Sequence, residues 1–259
     1  MKKQNKVAVI GGGTVGKATA RRFRADKCYD KQLTNDELKE LKDYDYIFLC
    51  LPTTTEDGIQ DLQIIRNYIR DISAVSTEPV IVIRSTVLPG TAKALRTDYL
   101  MDIISFPEFL TEDIADEDVK KPDFILLGID RDDLKKPLTD YLRNIYKRTE
   151  IIITDTITAE LAKYAANTFF VTKVVFANEM YDYAQRFGAD YDIVKYTMYK
   201  NRYIGSNHLD IFHKKYRGAA GKCLMKDMNA FANHTPSDFF RFIDNENMRL
   251  LRPNGKNKV

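Results

Sequence analysis

The string Gly221-Lys222-Cys223-Leu224-Met225-Lys226-Asp227 places a thiol, two amines and a carboxylate within seven residues. Upstream, Lys163 and Asn167 stand four apart in a helical pattern, so both lie on one helix face. Near the start, Gly11, Gly13 and Gly16 form G-x-G-x-x-G, the pattern of a dinucleotide-binding turn. Together these groups suit an oxidation that passes through a covalent thioester. A first hydride transfer turns an alcohol into an aldehyde, and a thiolate adds to it. The thiohemiacetal loses a second hydride, and water hydrolyses the resulting thioester. A free cysteine titrates near 8.5, so Lys222, Lys226 and Lys163 would favour the thiolate. A fixed donor aimed at the developing oxyanion is worth roughly 2.7–4 kcal/mol.

The glycine turn sits between an apolar strand (residues 6–10) and a helix (15–25), the context its pattern requires. Gly11 permits the tight turn, Gly13 lets a pyrophosphate approach the amides at the helix start, with Thr14 and Val15 beside it, and Gly16 lets helix and strand pack closely. Asp30 lies nineteen residues after Gly11, near the spacing of about 20 at which an acid holds the adenosine ribose, which favours NAD over NADP. Asp26 is the competing candidate.

Elements alternate up to about residue 154. Strands are predicted over 6–10, 27–30, 46–51, 80–84, 103–105, 124–128 and 151–154, and helices over 15–25, 61–75 and 91–95. Such alternation gives a parallel sheet covered on both faces. Thereafter strand signals stop. A long helix is predicted over 159–187, ended by Gly188, with shorter helices at 190–199, 225–233 and 237–251. The fold class is thus α/β: a Rossmann-like sheet domain (1–154) followed by an α-helical domain built on one long helix (155–251), and a mobile tail (252–259). Three loops, opened by Leu51-Pro52-Thr53, Arg84-Ser85-Thr86 and Ser105-Phe106-Pro107-Glu108, each follow an apolar strand, where open parallel sheets bind ligands.

In order and spacing, Gly11–Gly16, Pro52-Thr53, Ser85-Thr86-Val87 with Pro89-Gly90, Pro107-Glu108-Phe109-Leu110 with Glu112, Ala159-Glu160 with Lys163 and Asn167-Thr168, Asn178-Glu179, and Gly221-x-Cys223-Leu224-x-Lys226-Asp227 resemble the UDP-glucose/GDP-mannose dehydrogenase family, from residue 6 to about 250. The resemblance implies a four-electron oxidation of a nucleotide sugar's 6-hydroxymethyl group to a carboxylate, with two NAD per turnover. It implies Cys223 as nucleophile, Lys163 and Asn167 as holders of the oxyanion, and Asp227 as an aid to protonation and water. Thr86 and Glu112 look like the family's water-positioning pair beside the nicotinamide, Lys226 like its cofactor contact, and Thr53 like part of the cofactor site. Glu108, Phe109, Leu110 and Glu112 would line the sugar pocket, with Lys163, Asn167, Phe212 and Ala220. The expectation is a short form without the family's C-terminal UDP-binding domain.

The chain departs from the family pattern at Gly218-Ala219-Ala220-Gly221, where Gly-aromatic-Gly-Gly is usual, and at Met225, where proline is common. A non-catalytic nucleotide-sugar or dinucleotide-binding protein, or a 3-hydroxyacid or 6-phosphogluconate type of dehydrogenase, are alternatives; the latter enzymes need no Cys223. The balance of 40 basic and 37 acidic residues, net +3, implies no nucleic-acid partner. The apolar runs are too short to span a bilayer. Three cysteines (Cys28, Cys50, Cys223) without a signal-like segment suit the cytoplasm. His208, His213 and His234 lack metal-ligand spacing. Apolar residues around much of the long helix (Phe170, Val171, Val175, Phe176) predict a twofold homodimer.

Overall fold

The computed structural model describes residues 5–30, 32–205, 207–212, 216–221 and 223–252, and the Glu112 side chain lies outside that description. The expected tail falls outside it from residue 253 onward, as does Lys222. In chain order the elements are β1 (Val7–Ile10), α1 (Thr14–Phe23), β2 (Lys27–Tyr29), α2 (Asn35–Glu40), β3 (Tyr46–Leu49), β4 (Thr55–Glu56), β5 (Ile59–Gln60), α3 (Gln63–Ser73), β6 (Val80–Ile83), α4 (Thr91–Tyr99), β7 (Ile103–Ser105), α5 (Ala115–Lys120), β8 (Phe124–Gly128), α6 (Asp132–Ile145), β9 (Glu150–Thr154), α7 (Thr156–Phe187), α8 (Tyr191–Lys200), α9 (Leu224–His234) and α10 (Asp238–Leu251).

One compact unit comprises residues 1–54 and 60–163; the other comprises 55–59 and 164–259. The change of pattern near residue 155 coincides with the start of α7, and the division between the units falls further along that helix.

The first unit is built on a seven-stranded sheet in the order β2-β1-β3-β6-β7-β8-β9. Successive residues of β1, β3 and β6 point to opposite faces. Ala8, Ile10, Ile47, Leu49, Ile81 and Ile83 enter one buried cluster with Ile65, Ile69 and Ile72 of α3. Val7, Val9, Tyr46, Phe48, Val80 and Val82 enter the other with Phe23 of α1 and Leu138 and Leu142 of α6. Both faces are covered, which is why these strands are apolar without alternation.

Two features differ from the sequence expectation. The five strands β1, β2, β3, β6 and β7 are parallel, but β8 pairs antiparallel with β7 and carries β9 with it in that reversed direction. A single bridge, Ser105 to Gly128, makes that join, and apolar runs alone do not encode strand direction. Helices α2, α5 and α6 were not foreseen. Helix α2 is announced by a capping box, Thr34 with Glu37. Helix α6 tolerates Pro137 inside its span, where proline normally argues for a break.

In the second unit, Val171, Val174 and Val175 of α7 pack with Met228 of α9, Ile243 and Leu250 of α10, and Ala219. Ala177 and Ala184 pack with Tyr191, Leu209 and Ile211. The β4/β5 hairpin tip belongs to this unit because α9 grips it: Gly58 N donates to Asn229 Oδ1 at 2.9 Å, and Asn233 Nδ2 donates to Gly58 O at 3.1 Å. The segment before Cys223 is pinned similarly. Ala219 N donates to Asn247 Oδ1 at 2.7 Å and Asn247 Nδ2 donates to Ala219 O at 3.3 Å. Among the described residues no helix is long and apolar enough to cross a membrane.

Asn247 is fully buried, so its removal strands one backbone donor and one acceptor. Asn247→Ala should cost about 1–3 kcal/mol, read as a lowered midpoint in urea unfolding, whereas Asn201→Ala at an exposed position should be nearly neutral.

Candidate functional site

The glycine turn has the shape its spacing predicts. Gly11 has φ +110°, and a Cβ there would lie 2.2 Å from Cys50 O; a Cβ on Gly16 would lie 1.7 Å from Gly11 O. No side chain larger than glycine fits either place. A Cβ on Gly13 meets nothing within 4 Å, and Gly13 caps α1 without any side-chain hydrogen bond. The amino end of α1 therefore keeps its amides and its positive dipole end for an anion, as a pyrophosphate requires. Asp30 follows β2 and accepts from Gly12 N through Oδ1 at 2.9 Å, which fixes its carboxylate beside the turn. Asp26, the competing candidate, instead accepts from Val7 N at 2.9 Å through Oδ2. These residues fit a dinucleotide.

The loop after β6 is held from several directions. Thr53 is buried, and its hydroxyl donates to the Thr86 carbonyl at 2.8 Å. Gln60 Nε2 donates to the same carbonyl at 3.1 Å, and Gln60 Oε1 accepts from Leu88 N at 3.0 Å. Ser85 Oγ accepts from Leu51 N at 2.8 Å and donates to Leu51 O at 2.7 Å. Thr53 thus shapes the Thr86 loop through an engaged hydroxyl. Gln60 and Ser85 were not among the expected site residues; a buried glutamine after a hairpin gives no periodic signal.

The segment after β7 carries the acids. Glu108 Oε2 accepts from Leu110 N at 2.6 Å, and Glu108 Oε1 lies 3.4 Å from Lys163 Nζ. Lys163 is only 6% exposed, and its ammonium sits 5.2 Å from the centre of the Phe109 ring. A surface lysine that merely lays its stem on an apolar face is ruled out by that burial. Phe109 packs on Phe124 at 4.9 Å between ring centres. Thr111 N donates to Asp118 Oδ2 at 2.7 Å, and Glu112 opens a short 3₁₀ turn, Glu112–Ile114. A cavity of about 200 Å³ is lined by Arg84, Phe106, Glu108, Phe109, Leu110 and Tyr146, among others.

In the second unit, Cys223 stands exposed at the start of α9. Asp227, one turn on, is fully buried. It accepts from Asn167 Nδ2 through Oδ2 at 2.6 Å and pairs with Lys226 Nζ through Oδ1 at 2.5 Å. One carboxylate thereby joins three of the expected residues. Phe212 is exposed and Ala220 half-buried. Ala219, which replaces an aromatic residue of the usual pattern, enters the core beside Met228.

Of the other two cysteines, Cys50 is half-buried against the sheet core and Cys28 is exposed. Burial pushes the Cys50 thiol up to about 11, against the lowering influence of Arg84 and of a Thr19 contact. Cys28 lies in β2, and burial raises it too. None of the three forms a disulfide.

Residues 24–150 match the NAD binding domain of the UDP-glucose/GDP-mannose dehydrogenase family, and residues 157–243 match that family's central domain. An uncharacterized protein of Methanocaldococcus jannaschii is 33% identical over 250 residues, covering 89% of this chain and 27% of that protein. The UDP-glucose 6-dehydrogenase of Rickettsia bellii is 32% identical over 226 residues, covering 80% of this chain and 50% of that one. This chain therefore spans half or less of the length of these curated relatives. A UDP-glucose dehydrogenase structure from Pyrobaculum islandicum superimposes with a TM-score of 0.80 at 23% identity, over 96% of this chain and 68% of that one.

Asp30→Ala tests whether this carboxylate holds the adenosine ribose. Fluorescence titration of the reduced cofactors should show NAD weakened by about tenfold, one good charged hydrogen bond's worth, with NADP little changed. Equal weakening of both would place Asp30 elsewhere than the ribose.

Proposed function

Because this chain belongs to the UDP-glucose/GDP-mannose dehydrogenase family and its cofactor is NAD, we propose that it oxidises the 6-hydroxymethyl group of UDP-glucose, or of a related nucleotide sugar, to a carboxylate through a thioester on Cys223. The observation that carries this reading is the buried Asp227, which binds Asn167 and Lys226 one turn after an exposed cysteine. A simple binding protein has no use for a thiol displayed at a helix start, backed by a buried carboxylate.

When bound, NAD would supply the hydride acceptor, two molecules per sugar. Gly11, Gly13, Thr14, Val15, Gly16 and Asp30 would hold it, with Lys226 contributing a cation. The rest of the chemistry belongs to side chains. Cys223 Sγ, as the thiolate, bonds to the aldehyde carbon, and the carbonyl electrons move to oxygen. A negative sulfur at the start of an 11-residue helix is stabilised by the positive end of the helix dipole. Lys163 and the second amide proton of Asn167 hold the oxyanion. Loss of the second hydride leaves the thioester. Water then adds to it, Asp227 takes up the water's proton, and Cys223 leaves as thiolate. The family resemblance assigns Thr86 and Glu112 to positioning that water, and Glu108, Phe109, Leu110, Phe212 and Ala220 to recognising the sugar. The balance is one alcohol, two NAD⁺ and one water giving one carboxylate, two NADH and three protons.

The second unit supports a homodimer. Phe169, Phe176, Tyr183 and Phe187 on α7 and Ile193, Tyr196 and Tyr199 on α8 are all exposed, more apolar surface than a monomer usually leaves open. The lack of a disulfide at Cys28, Cys50 and Cys223 suits a reducing cytoplasm.

With UDP-glucose and NAD, wild-type protein should release two NADH per sugar oxidised. Cys223→Ser should abolish the four-electron reaction and the covalent adduct seen by intact mass, while Cys28→Ser and Cys50→Ser should retain both. Binding of NAD without oxidation of any nucleotide sugar would favour a binding protein. One hydride per substrate with an indifferent Cys223→Ser would favour a hydroxyacid dehydrogenase. Separately, light scattering at micromolar concentration should give about twice the 29.9 kDa chain mass, and a value near the single chain would refute the dimer.

A further inference from the structure

Glu160 lies on α7 one turn before Lys163 and is only 2% exposed. Its carboxylate reaches two segments of the first unit. Oε2 accepts from Gly90 N at 2.6 Å, and Oε1 accepts from Ala92 N at 2.9 Å and from Ser105 Oγ at 2.8 Å. Gly90 and Ala92 open α4, whose cap residue is a glycine and so brings no side chain of its own. Glu160 therefore caps α4 from another helix, satisfying amides that a helix start leaves orphaned. Ser105 ends β7 and leads into the Glu108 segment. A space the size of one water molecule lies against the same carboxylate, lined by Ser85, Thr86, Val87, Ser105, Pro107 and Lys163 with Glu160 itself and Ile83.

We propose that Glu160 is a positioning residue: a single carboxylate holds the Thr86 loop, the start of the Glu108 segment and the Lys163 turn of α7 in mutual register. No role in the oxidation is otherwise attached to it. The chemical consequence rests on the dehydrogenase reading above, but the positioning itself does not.

The donor pattern demands a carboxylate. Each oxygen faces at least one fixed N–H, so neither can carry a proton, nor can either be replaced by an NH₂ group, without setting donor against donor. Burial pushes Glu160 up to about 7, and the amides of Ala92, Gly90 and Thr91 and the Ser105 hydroxyl hold it from rising further. Lys163 is the charged group that shares its space, and it is paired with Glu108. The residues that β6 with its loop and β7 bring to that space, Ile83, Ser85, Thr86, Val87 and Ser105, carry no charge; Arg96 of α4 is turned to Asp130. Protonation as pH falls through about 7 thus breaks the cap on α4 and loosens the register. Stability runs the other way. The folded value lies above the ordinary 4.5, so this group's stabilising contribution is full below about 4.5 and is lost as pH rises through about 7.

Amide NMR of the full chain tests this without turnover. The Gly90, Ala92 and Thr86 signals of wild type should move together with a midpoint near 7, and should stay still in Glu160→Gln. Ser105→Ala, which removes one donor to the ionised form, should raise that midpoint while leaving the titration in place. In the UDP-glucose assay, wild-type kcat should fall on the acid side with the same midpoint. Glu160→Gln should lose that limb and about 10- to 100-fold in kcat, the scale of a misplacement near 1 Å, with NAD affinity unchanged. Glu160→Asp, which keeps the carboxylate, should restore the limb. Moving amides in a protein that oxidises no nucleotide sugar would sink the dehydrogenase reading and leave the positioning role standing. Amides that ignore pH in this window, a midpoint unmoved by Ser105→Ala, or a wild-type acid limb in Glu160→Gln would overturn the role.

Discussion

A carboxylate taken out of water needs donors for its oxygens, and that requirement organises both units of this protein. In the first unit Glu160 meets it with two backbone amides and a serine hydroxyl drawn from separate segments. In the second, Asp227 meets it with the Asn167 amide and the Lys226 ammonium. Neither group can shift without stranding its partners, so the loops and helices that supply those partners are fixed as well. The residues assigned to chemistry are the neighbours of these anchors, one helical turn away in each case: Lys163 after Glu160, and Cys223 before Asp227.

Much of this was legible in the chain, for physical reasons that differ by region. The runs at 7–10, 46–49 and 80–83 read as doubly covered strands because every residue in them is apolar and β-prone, and they are buried on both faces. Gly11 and Gly16 were legible because backbone contacts exclude any side chain there. The long helix was legible from its period, although it begins at Thr156, where Asp155 accepts from Thr158 N. What the chain did not reveal depends on partners distant in sequence. The reversal at β8 hangs on one bridge, Ser105 to Gly128. Glu160 draws its donors from 55 to 70 residues away, and Asn247 reaches Ala219 from 28. A polar residue that is buried because of such a reach looks, in the sequence, like an ordinary surface residue of its helix.

The same contrast separates the three cysteines. Cys50 lies under the glycine turn, where its backbone excludes a side chain on Gly11 and its own thiol approaches Thr19 at 3.9 Å. Its place in the first unit is explained by packing, and its raised titration keeps it a neutral thiol at pH 7. Cys28 belongs to the edge strand β2. Cys223 has neither explanation. It is exposed and stands at the start of α9, and the loop before it is held by Asn247. Exposure alone does not separate it from Cys28; its neighbourhood does, because the Asp227 carboxylate one turn on is fully buried.

The Lys163–Glu108 pair shows that burying charge need not add stability. At 3.4 Å and an effective dielectric of about 20, its attraction is about 5 kcal/mol. Desolvating two such ions costs several kcal/mol each, so the pair adds little or nothing to stability. Leucine and methionine in these places would pack the same space at less cost. The pair instead holds the ammonium of Lys163 on α7 against the Glu108 segment, with the Phe109 ring as a further electrostatic wall. Because Glu108 also accepts from Leu110 N, any displacement of that carboxylate moves the loop and the ammonium together.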